Sequence, residues 1–498
     1  MNTIKSWPVP PVVSSYIDGK RAVPGAMRLP VINPATEQQV AELAEADAAE
    51  TTRAIEAAQR AHLDGRWSGL KAQAKREVLQ RIARVTSEHL DELAWLETLN
   101  TGLPLRYARQ FQLPRIVRNF NFFADYLSQH VERAGMDDDA YLRFVLRDPL
   151  GVVALISPWN APLALASTKI AAALTFGNTC VVKTSEQTPL AVSRFMELLS
   201  EAGVPDGVVN MVNGRGTVTG NALVCHPAVR GISFTGGTET GRAIASAAAP
   251  ALKRVDLELG GKSANIITES ADLDRALDAA LAGIYLNNGQ QCFAGSRILL
   301  SRKIADDFIE RFVTRARRIR LGDPLDAATE VGPLAFESHY RRVLGFAELA
   351  REDGNTLLTG GRRAEGFERG YYVEPTAVLA RTNSTRLCQQ EIFGPFATLL
   401  VYDELDEALA IANDSAYGLV SYLWSERLDD TMRAARALQT GVVLVNTNMT
   451  LDFRFPFGGY KDSGVGREGI EGMRQFYSQD KVVTIGLRPP APLPFGKS

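Results

Sequence analysis

Four cysteines, Cys180, Cys225, Cys292 and Cys388, stand far apart with no C-x-x-C pair, so any special thiol must act alone. A lone cysteine is most often a small core hydrophobe. Cys180 lies inside an apolar run and fits that description; Cys225 and Cys388 have no distinctive neighbours. Cys292 differs, because Gly289-Gln290-Gln291 before it and Gly295 after it make a polar, flexible loop that can expose a thiolate. Glu258 is followed by the turn Gly260-Gly261-Lys262 and lies only one helix away in sequence from Cys292. A nucleophile with a nearby carboxylate base is the minimum kit for covalent catalysis followed by hydrolysis. A core thiol and a solvated or capping carboxylate fit the same spacing, so both readings stay open at this point.

Two glycine-rich stretches could hold a phosphate. Gly214-Arg215-Gly216, with Gly220 further on, lacks the G-x-G-x-x-G spacing and follows a third strand instead of a first. Phe234-Thr235-Gly236-Gly237-Thr238-Glu239-Thr240-Gly241 joins a strand to a helix N-terminus, where backbone N–H groups favour an anion. An ordinary tight turn between strand and helix would look the same.

The elements that must position these residues follow from the punctuation. Helices are predicted over about 47–63, 70–100 and 105–127, and an exposed strand or subunit contact over 131–147. From Gly151 onward, short apolar strands at 151–157, 179–183, 208–212, 231–234 and 255–259 alternate with helices. Thr188 is read as the cap of the helix that starts at Pro189 and ends before Gly203. This alternation implies an α/β fold with a Rossmann-like parallel sheet covered on both faces. In the last strand Asp256 and Glu258 alternate with Val255, Leu257 and Leu259, so the carboxylates point away from the apolar face. Glu258 then stands at the strand end, where open α/β sheets place their ligands. A second α/β region begins with a helix patterned on Leu273, Ala276, Leu277, Ala280, Leu281 and Ile284. Asn287-Asn288-Gly289 ends it, and Cys292 falls in the tight connection to a strand at 297–300. The proline-rich tail from Arg488 is expected to be extended or disordered.

The chain has 498 residues, 45% hydrophobic and 22% charged, the balance of a soluble protein with a large core and two or three domains. Its 55 basic and 57 acidic residues leave a net charge of −2, which argues against nucleic acid or an anionic membrane as partner. No apolar run approaches the roughly 18–20 residues of a membrane span, and Met1 to Val13 lack the pattern of a secretory signal. A reducing cytoplasm is the expected home.

Taken together, residues 234–241 (FTGGTETG), 257–263 (LELGGKS), 289–292 (GQQC), 391–395 (EIFGP), 456–461 (PFGGYK) and 463–468 (SGVGRE) resemble the signatures of the aldehyde dehydrogenase superfamily. Ser157-Pro158-Trp159-Asn160 and Lys183-Thr184-Ser185-Glu186 add two more, and the resemblance covers about 14–483 in the family's order. It implies a cofactor domain at 1–126 and 149–257, a second α/β catalytic domain at 258–460, and a small β oligomerisation segment at 127–148 and 474–490. The implied catalytic set is Cys292, Glu258, Asn160 and Lys183. Cys292 would attack the aldehyde carbonyl, Asn160 and the Cys292 N–H would hold the oxyanion, and Glu258 would activate the hydrolytic water. Cofactor contacts are implied at Ile156, Ser157, Trp159, Lys183, Ser185, Glu186, Gly216, Phe234, Thr235, Gly236, Gly237, Leu259, Glu391 and Phe393. Lys183 and Glu186 match the residues on the adenine ribose, and a carboxylate at Glu186 favours NAD over NADP without barring NADP. No metal is implied.

The chain departs from the family at Gly237, where Ser is common, and at Thr184, where Pro is usual. Branches that release an acyl-CoA typically lack a Glu where this chain has Glu258, so water is the implied acceptor; a catalytically silent binding or structural relative is the alternative of another class. For the substrate, Phe111, Phe293 and Phe453 point to an apolar, aromatic aldehyde. Arg115 and Arg454 lie in segments resembling those of muconic-semialdehyde dehydrogenases and offer a carboxylate anchor, although Leu451 stands where those relatives carry an earlier Arg. A homodimer or homotetramer is implied, with 131–147 and 479–485 joining sheets between subunits.

Overall fold

Five short apolar stretches, buried along most of their length, pair in parallel in the computed structural model, which describes residues 5–137, 139–448, 450–488, 493, 495 and 496. Their order is Arg254–Glu258, Val229–Thr235, Val152–Ile156, Thr179–Lys183 and Val209–Val212. Side chains covered on both faces are what let such strands be continuously hydrophobic. The register aligns their carboxyl ends: Ile156 pairs with Lys183 and Phe234, Lys183 with Val212, and Thr235 with Glu258. Gly464–Val465 closes one edge against Arg254–Glu258, and Tyr16–Ile17 with Lys20–Arg21 closes the other, all antiparallel.

A second sheet runs Thr356–Thr359, Thr376–Leu379, Phe396–Tyr402, Arg297–Ser301, Ala264–Ile267, Val420–Trp424 and Val442–Val445, parallel except for its first strand. The third is antiparallel: Ala134–Asp137, Tyr141–Pro149 and Ser478–Gly486. Among the described residues no helix is long and apolar enough to cross a membrane.

Several expectations need correction. The helix read over 70–100 is two, Ala72–Glu88 and Leu90–Thr101, broken at His89, whose ring bonds Glu92 at 2.7 Å. The helix read over 105–127 is interrupted by a π-turn, Ala108–Gln112. Thr188 is not a helix cap: Pro189 occupies the N-cap, and the Thr188 hydroxyl donates instead to the Trp159 carbonyl at 3.1 Å. Strands between Val12 and Ala44 escaped a reading that began its elements at Asp47: Val12–Val13, Tyr16–Ile17 and Lys20–Arg21 are too short to show alternation, while Arg28–Asn33, interrupted by Pro30, and Gln38–Ala44 were passed over. Asp256 and Glu258 do leave the apolar face, yet both are buried: Ser233 donates to Asp256, and the backbone at Gly466 and Gly458 lies close against Asp256 and Glu258. The tail from Arg488 lies mostly outside the described residues.

Candidate active site

Cys292 owes its place to a turn that few residues could make. The helix Leu273–Tyr285 runs into Asn287 and Asn288, both in the left-handed region at φ 52° and 56°, then Gly289 at 73°. Asn tolerates this conformation through local hydrogen bonds, and Gly without strain. Gly289 has a second reason: a Cβ there would lie 2.1 Å from the Gly394 backbone. The two asparagines then tie the loop down. Asn288 Nδ2 donates to the carbonyls of Gly102 and Pro333, its Oδ1 accepts from Gly332 N–H, and Asn287 Nδ2 donates to Asn160 and Gln290 carbonyls.

Asn160 is held beside it. One Nδ2 hydrogen goes to the Gln290 carbonyl at 2.8 Å, and an amide nitrogen carries two, so one donor is left for the cavity. The Cys292 thiol packs against Leu419, Val420 and Tyr422. Burial pushes its pKa up to about 12, helped by the carboxylates of Glu391, Glu258 and Glu468.

Glu258 sits at the end of its strand with both carboxylate oxygens buried and without a hydrogen-bond partner among the described residues. Gly458 leaves it room, since a Cβ there would stand 2.8 Å from Oε1. Burial, then the carboxylates of Glu468 and Asp256, hold the Glu258 carboxyl well above the ordinary range, against the pull of Lys169 and Arg467. Behind it runs a buried polar chain. Lys169 Nζ lies 3.2 Å from Glu468 Oε1 and donates to Ser233 Oγ at 2.9 Å, and Ser233 donates to Asp256 at 3.0 Å. The sequence reading passed over this chain; its signal was a lysine inside an otherwise apolar helix, which must find a partner once buried.

Cys292, Asn160, Trp159, Thr235, Gly236, Gly237, Leu259, Glu391 and Phe393 line one cavity of about 470 Å³. Gly237 is the N-cap of the helix Thr238–Ala248, which has no side-chain cap. Gly236 must be Gly, because a Cβ would meet the Phe234 ring at 2.4 Å, and its N–H donates to the Glu258 carbonyl. Ser157 Oγ and Thr235 Oγ1 are buried without a hydrogen-bond partner among the described residues. Uncapped N–H groups and orphaned hydroxyls at the strand ends fit a dinucleotide. Ile156 and Lys183 end neighbouring strands of that edge; Lys183 Nζ lies 3.4 Å from Glu186, past Ser185, and burial lowers its pKa. Lys183 is therefore placed at the carboxyl end of an interior strand, and it is not among the residues lining the cavity around the thiol. Gly216 is the exposed first residue of a π-turn, Gly216–Gly220, whose last two residues are buried. Phe336, His339 and Arg342 share the cavity and were not singled out from the sequence.

On the substrate side the two arginines part. Arg115 lies 5.9 Å from the centre of the Phe453 ring and has no ion pair among the described residues. Burial draws its pKa below the ordinary guanidinium range, and Glu468 and Cys292 pull it back. Arg454 does not belong to this group: its side chain is 74% exposed and paired with Asp452, so the two-arginine anchor reduces to Arg115. Tyr107, missed earlier, has Arg115 as its charged neighbour and stacks on Phe111, which is itself exposed. Phe293 packs beside Cys292, and Phe453 on Phe122 and Phe123.

A family model described as the aldehyde dehydrogenase family matches residues 23–483. The 5-carboxymethyl-2-hydroxymuconate semialdehyde dehydrogenase of Escherichia coli is 41% identical over 92% of this chain and 97% of its own. The mitochondrial benzaldehyde dehydrogenase of Antirrhinum majus is 38% identical over 93% and 86%. Among solved structures, PnpE from Pseudomonas sp. WBC-3 superposes with a TM-score of 0.94 at 41% identity, covering 97% of this chain and 99% of that one. PnpE in complex with nicotinamide adenine dinucleotide gives the same values.

Proposed function

The chain belongs to the aldehyde dehydrogenase family and is an oxidoreductase acting on aldehydes, and from that premise we propose an NAD-linked, hydrolytic oxidation through a thioester on Cys292. The observation that carries the reading is that the Cys292 thiol, the spare Asn160 donor and the uncapped turn at Gly236-Gly237 line one cavity. Gly236, Gly237, Thr235 and Ser157 would hold the pyrophosphate end, Lys183 and Glu186 the adenine ribose, and Glu391 and Phe393 the nicotinamide end. When bound, the dinucleotide supplies the acceptor for the aldehyde's hydride.

The protein groups act in turn. Glu258 takes the Cys292 proton, and the thiolate adds to the carbonyl carbon. The oxyanion meets Asn160 Nδ2 and the Cys292 N–H, donors fixed before charge develops. Once the carbon is oxidised to a thioester, Glu258 releases the first proton to solvent and then deprotonates a water that attacks the thioester carbon; the C–S bond breaks, the acid departs, and the Cys292 sulfur takes the second proton from Glu258. Burial and its carboxylate neighbours raise the Glu258 pKa, which makes it a stronger base than an ordinary carboxylate.

A second substrate reading gains from the unpaired Arg115. The first is an apolar or aromatic aldehyde against Phe293 and Phe453; the second is an acid semialdehyde whose carboxylate meets Arg115. We favour the second, since an unpaired guanidinium behind an aromatic wall is costly without an anion. Four free cysteines support a reducing, cytoplasmic setting, and open sheet edges support a homodimer or homotetramer. The proposed domain division is a cofactor domain at 1–126 and 149–257, a catalytic domain at 258–460 and an oligomerisation segment at 127–148 and 474–490, and the presence of three separate sheets supports it.

The test is turnover with NAD, and separately NADP, across aliphatic, aromatic and carboxylate-bearing aldehydes, with Cys292→Ala as control. Reduced cofactor from the wild type alone upholds the covalent route. Equal turnover by Cys292→Ala overturns it.

A further inference from the structure

The turn that carries Glu391 and Phe393 holds one residue in a disfavoured backbone conformation. Phe393 has φ +62°, a left-handed conformation that crowds an L side chain. The restraint comes from outside, from the first two turns of the helix Glu337–Glu352. His339 Nε2 lies 2.8 Å from the Phe393 carbonyl oxygen, Arg342 Nη1 donates to the Ile392 carbonyl at 3.0 Å, and Arg342 Nη2 donates to the Glu391 carbonyl. Three consecutive carbonyls are thus gripped by residues spaced i, i+3 on one helix face. A carbonyl can only accept, so the His339 tautomer is fixed with its proton on Nε2. Burial pulls the His339 pKa down to about 4, so the ring stays neutral through the physiological range.

The ring also spans two loops. Its centroid lies 4.9 Å from Trp159, the neighbour of Asn160, and 6.2 Å from Phe393. Glu391 in turn accepts the Gly261 N–H at 2.9 Å, beside the backbone of Cys292.

We infer that His339 and Arg342 form a carbonyl clamp that positions Glu391 and Phe393 for the cofactor, with His339 as the tether of the left-handed residue. The inference rests on the cofactor reading of the cavity, but the clamp itself exists without ligand. His339→Phe keeps a ring against Trp159 and removes the donor, whereas His339→Gln keeps an N–H donor and removes the ring.

The first measurement is amide hydrogen exchange of the ligand-free protein. In His339→Phe the amides of 391–394 should exchange on the order of tenfold faster than in the wild type, with those of 152–156 unchanged. The second is NAD affinity by quenching of tryptophan fluorescence, Trp159 lining the cavity. The dissociation constant should rise about tenfold in His339→Phe, the scale set by leaving one buried carbonyl unpaired, and return to within about threefold in His339→Gln. Wild-type exchange and wild-type affinity in His339→Phe would overturn the clamp. If His339→Phe does not fold, Arg342→Met carries the same exchange test, because Arg342 is an exposed side chain. Unchanged exchange in Arg342→Met likewise overturns it. A wild type that does not bind NAD counts against the cofactor reading alone, and the exchange result still decides the clamp.

Discussion

A thiol with a pKa near 12 is protonated almost completely at neutral pH, so Cys292 depends on the carboxylate that shares its site. Glu258 must be ionised to accept that proton, and its own pKa is raised by burial and by Glu468. The sign is clear: kcat/KM falls as pH drops through the raised Glu258 value, at a pH above the ordinary carboxylate range. Glu468→Gln removes one like charge and frees the buried Lys169 cation, and both changes lower the Glu258 pKa. The acid limb of the pH–rate profile is therefore expected to move to lower pH; a limb that stays put would show that another group controls it. Glu258→Gln removes the base of both halves, so single-turnover formation of reduced cofactor should slow at neutral pH; raising the pH to ionise the Cys292 thiol should restore acylation but not hydrolysis, and intact mass spectrometry should then show the acyl adduct on Cys292. For the substrate, Arg115→Met should raise KM for a carboxylate-bearing aldehyde about tenfold or more, the scale of a lost hydrogen bond to a charge, and leave a neutral aromatic aldehyde unaffected. Equal KM changes for both would remove Arg115 from the anchoring role.

At the level of elements, the sheet that presents the site was readable because its strands are short apolar runs punctuated by Gly and Pro. What escaped the sequence has physical reasons. Thr188-Pro189 fits the cap pattern perfectly, but the hydroxyl found a better acceptor in the distant Trp159 carbonyl, a tertiary contact no local rule contains. Arg115 and Arg454 look alike in sequence; only folding decides that Asp452, two residues from Arg454, takes one and leaves the other unpaired. His339 gave no signal, since its partner lies 54 residues away. Glu97 is the sharpest case, an acid read as part of an ordinary helix and found 1% exposed. It faces the N-terminus of the helix Pro162–Thr175 near the Leu163 N–H, where Ala161 provides no side-chain cap, and neither of its carboxylate oxygens has a hydrogen-bond partner among the described residues. Burial pushes its pKa up to about 8. The folded state thus favours the protonated acid, a contribution fully present below pH 4.5 and lost as pH rises toward 8. At about 1.36 kcal/mol per pKa unit the loss is on the order of 4 kcal/mol. Glu97→Gln, which cannot ionise, should match the wild-type Tm near pH 5 and exceed it at pH 9. Parallel Tm curves across that range would mean that Glu97 is not buried as an acid.

For the whole molecule the open question is what covers its edges. Ser478–Gly486 pairs with Tyr141–Pro149 on one side and leaves its other side free, and it carries Val482 at 67% exposure and Ile485 at 44%. The far edge of the seven-stranded sheet, Val442–Val445, is a run of four β-branched or aliphatic residues, none fully buried. Unpaired N–H and C=O rows beside exposed aliphatic side chains invite strand addition, and a chain that stays soluble must cover or interrupt them. Here neither edge has a proline, and only Lys481 places a lysine on one of them. A second copy solves both at once, if the free edge of one subunit's three-stranded sheet meets Val442–Val445 of another, and two-fold symmetry repeats the contact. Sedimentation velocity should then give a dimer or tetramer at micromolar concentration. Val482→Asp with Ile485→Asp should shift it toward monomer and, because the strand Tyr141–Pro149 leads directly into Val152–Ile156, lower NAD turnover more than it disturbs Cys292 thiol titration. A wild type that sediments as a monomer, with the double variant indistinguishable from it, would mean that the edges are protected by their own twist and charge.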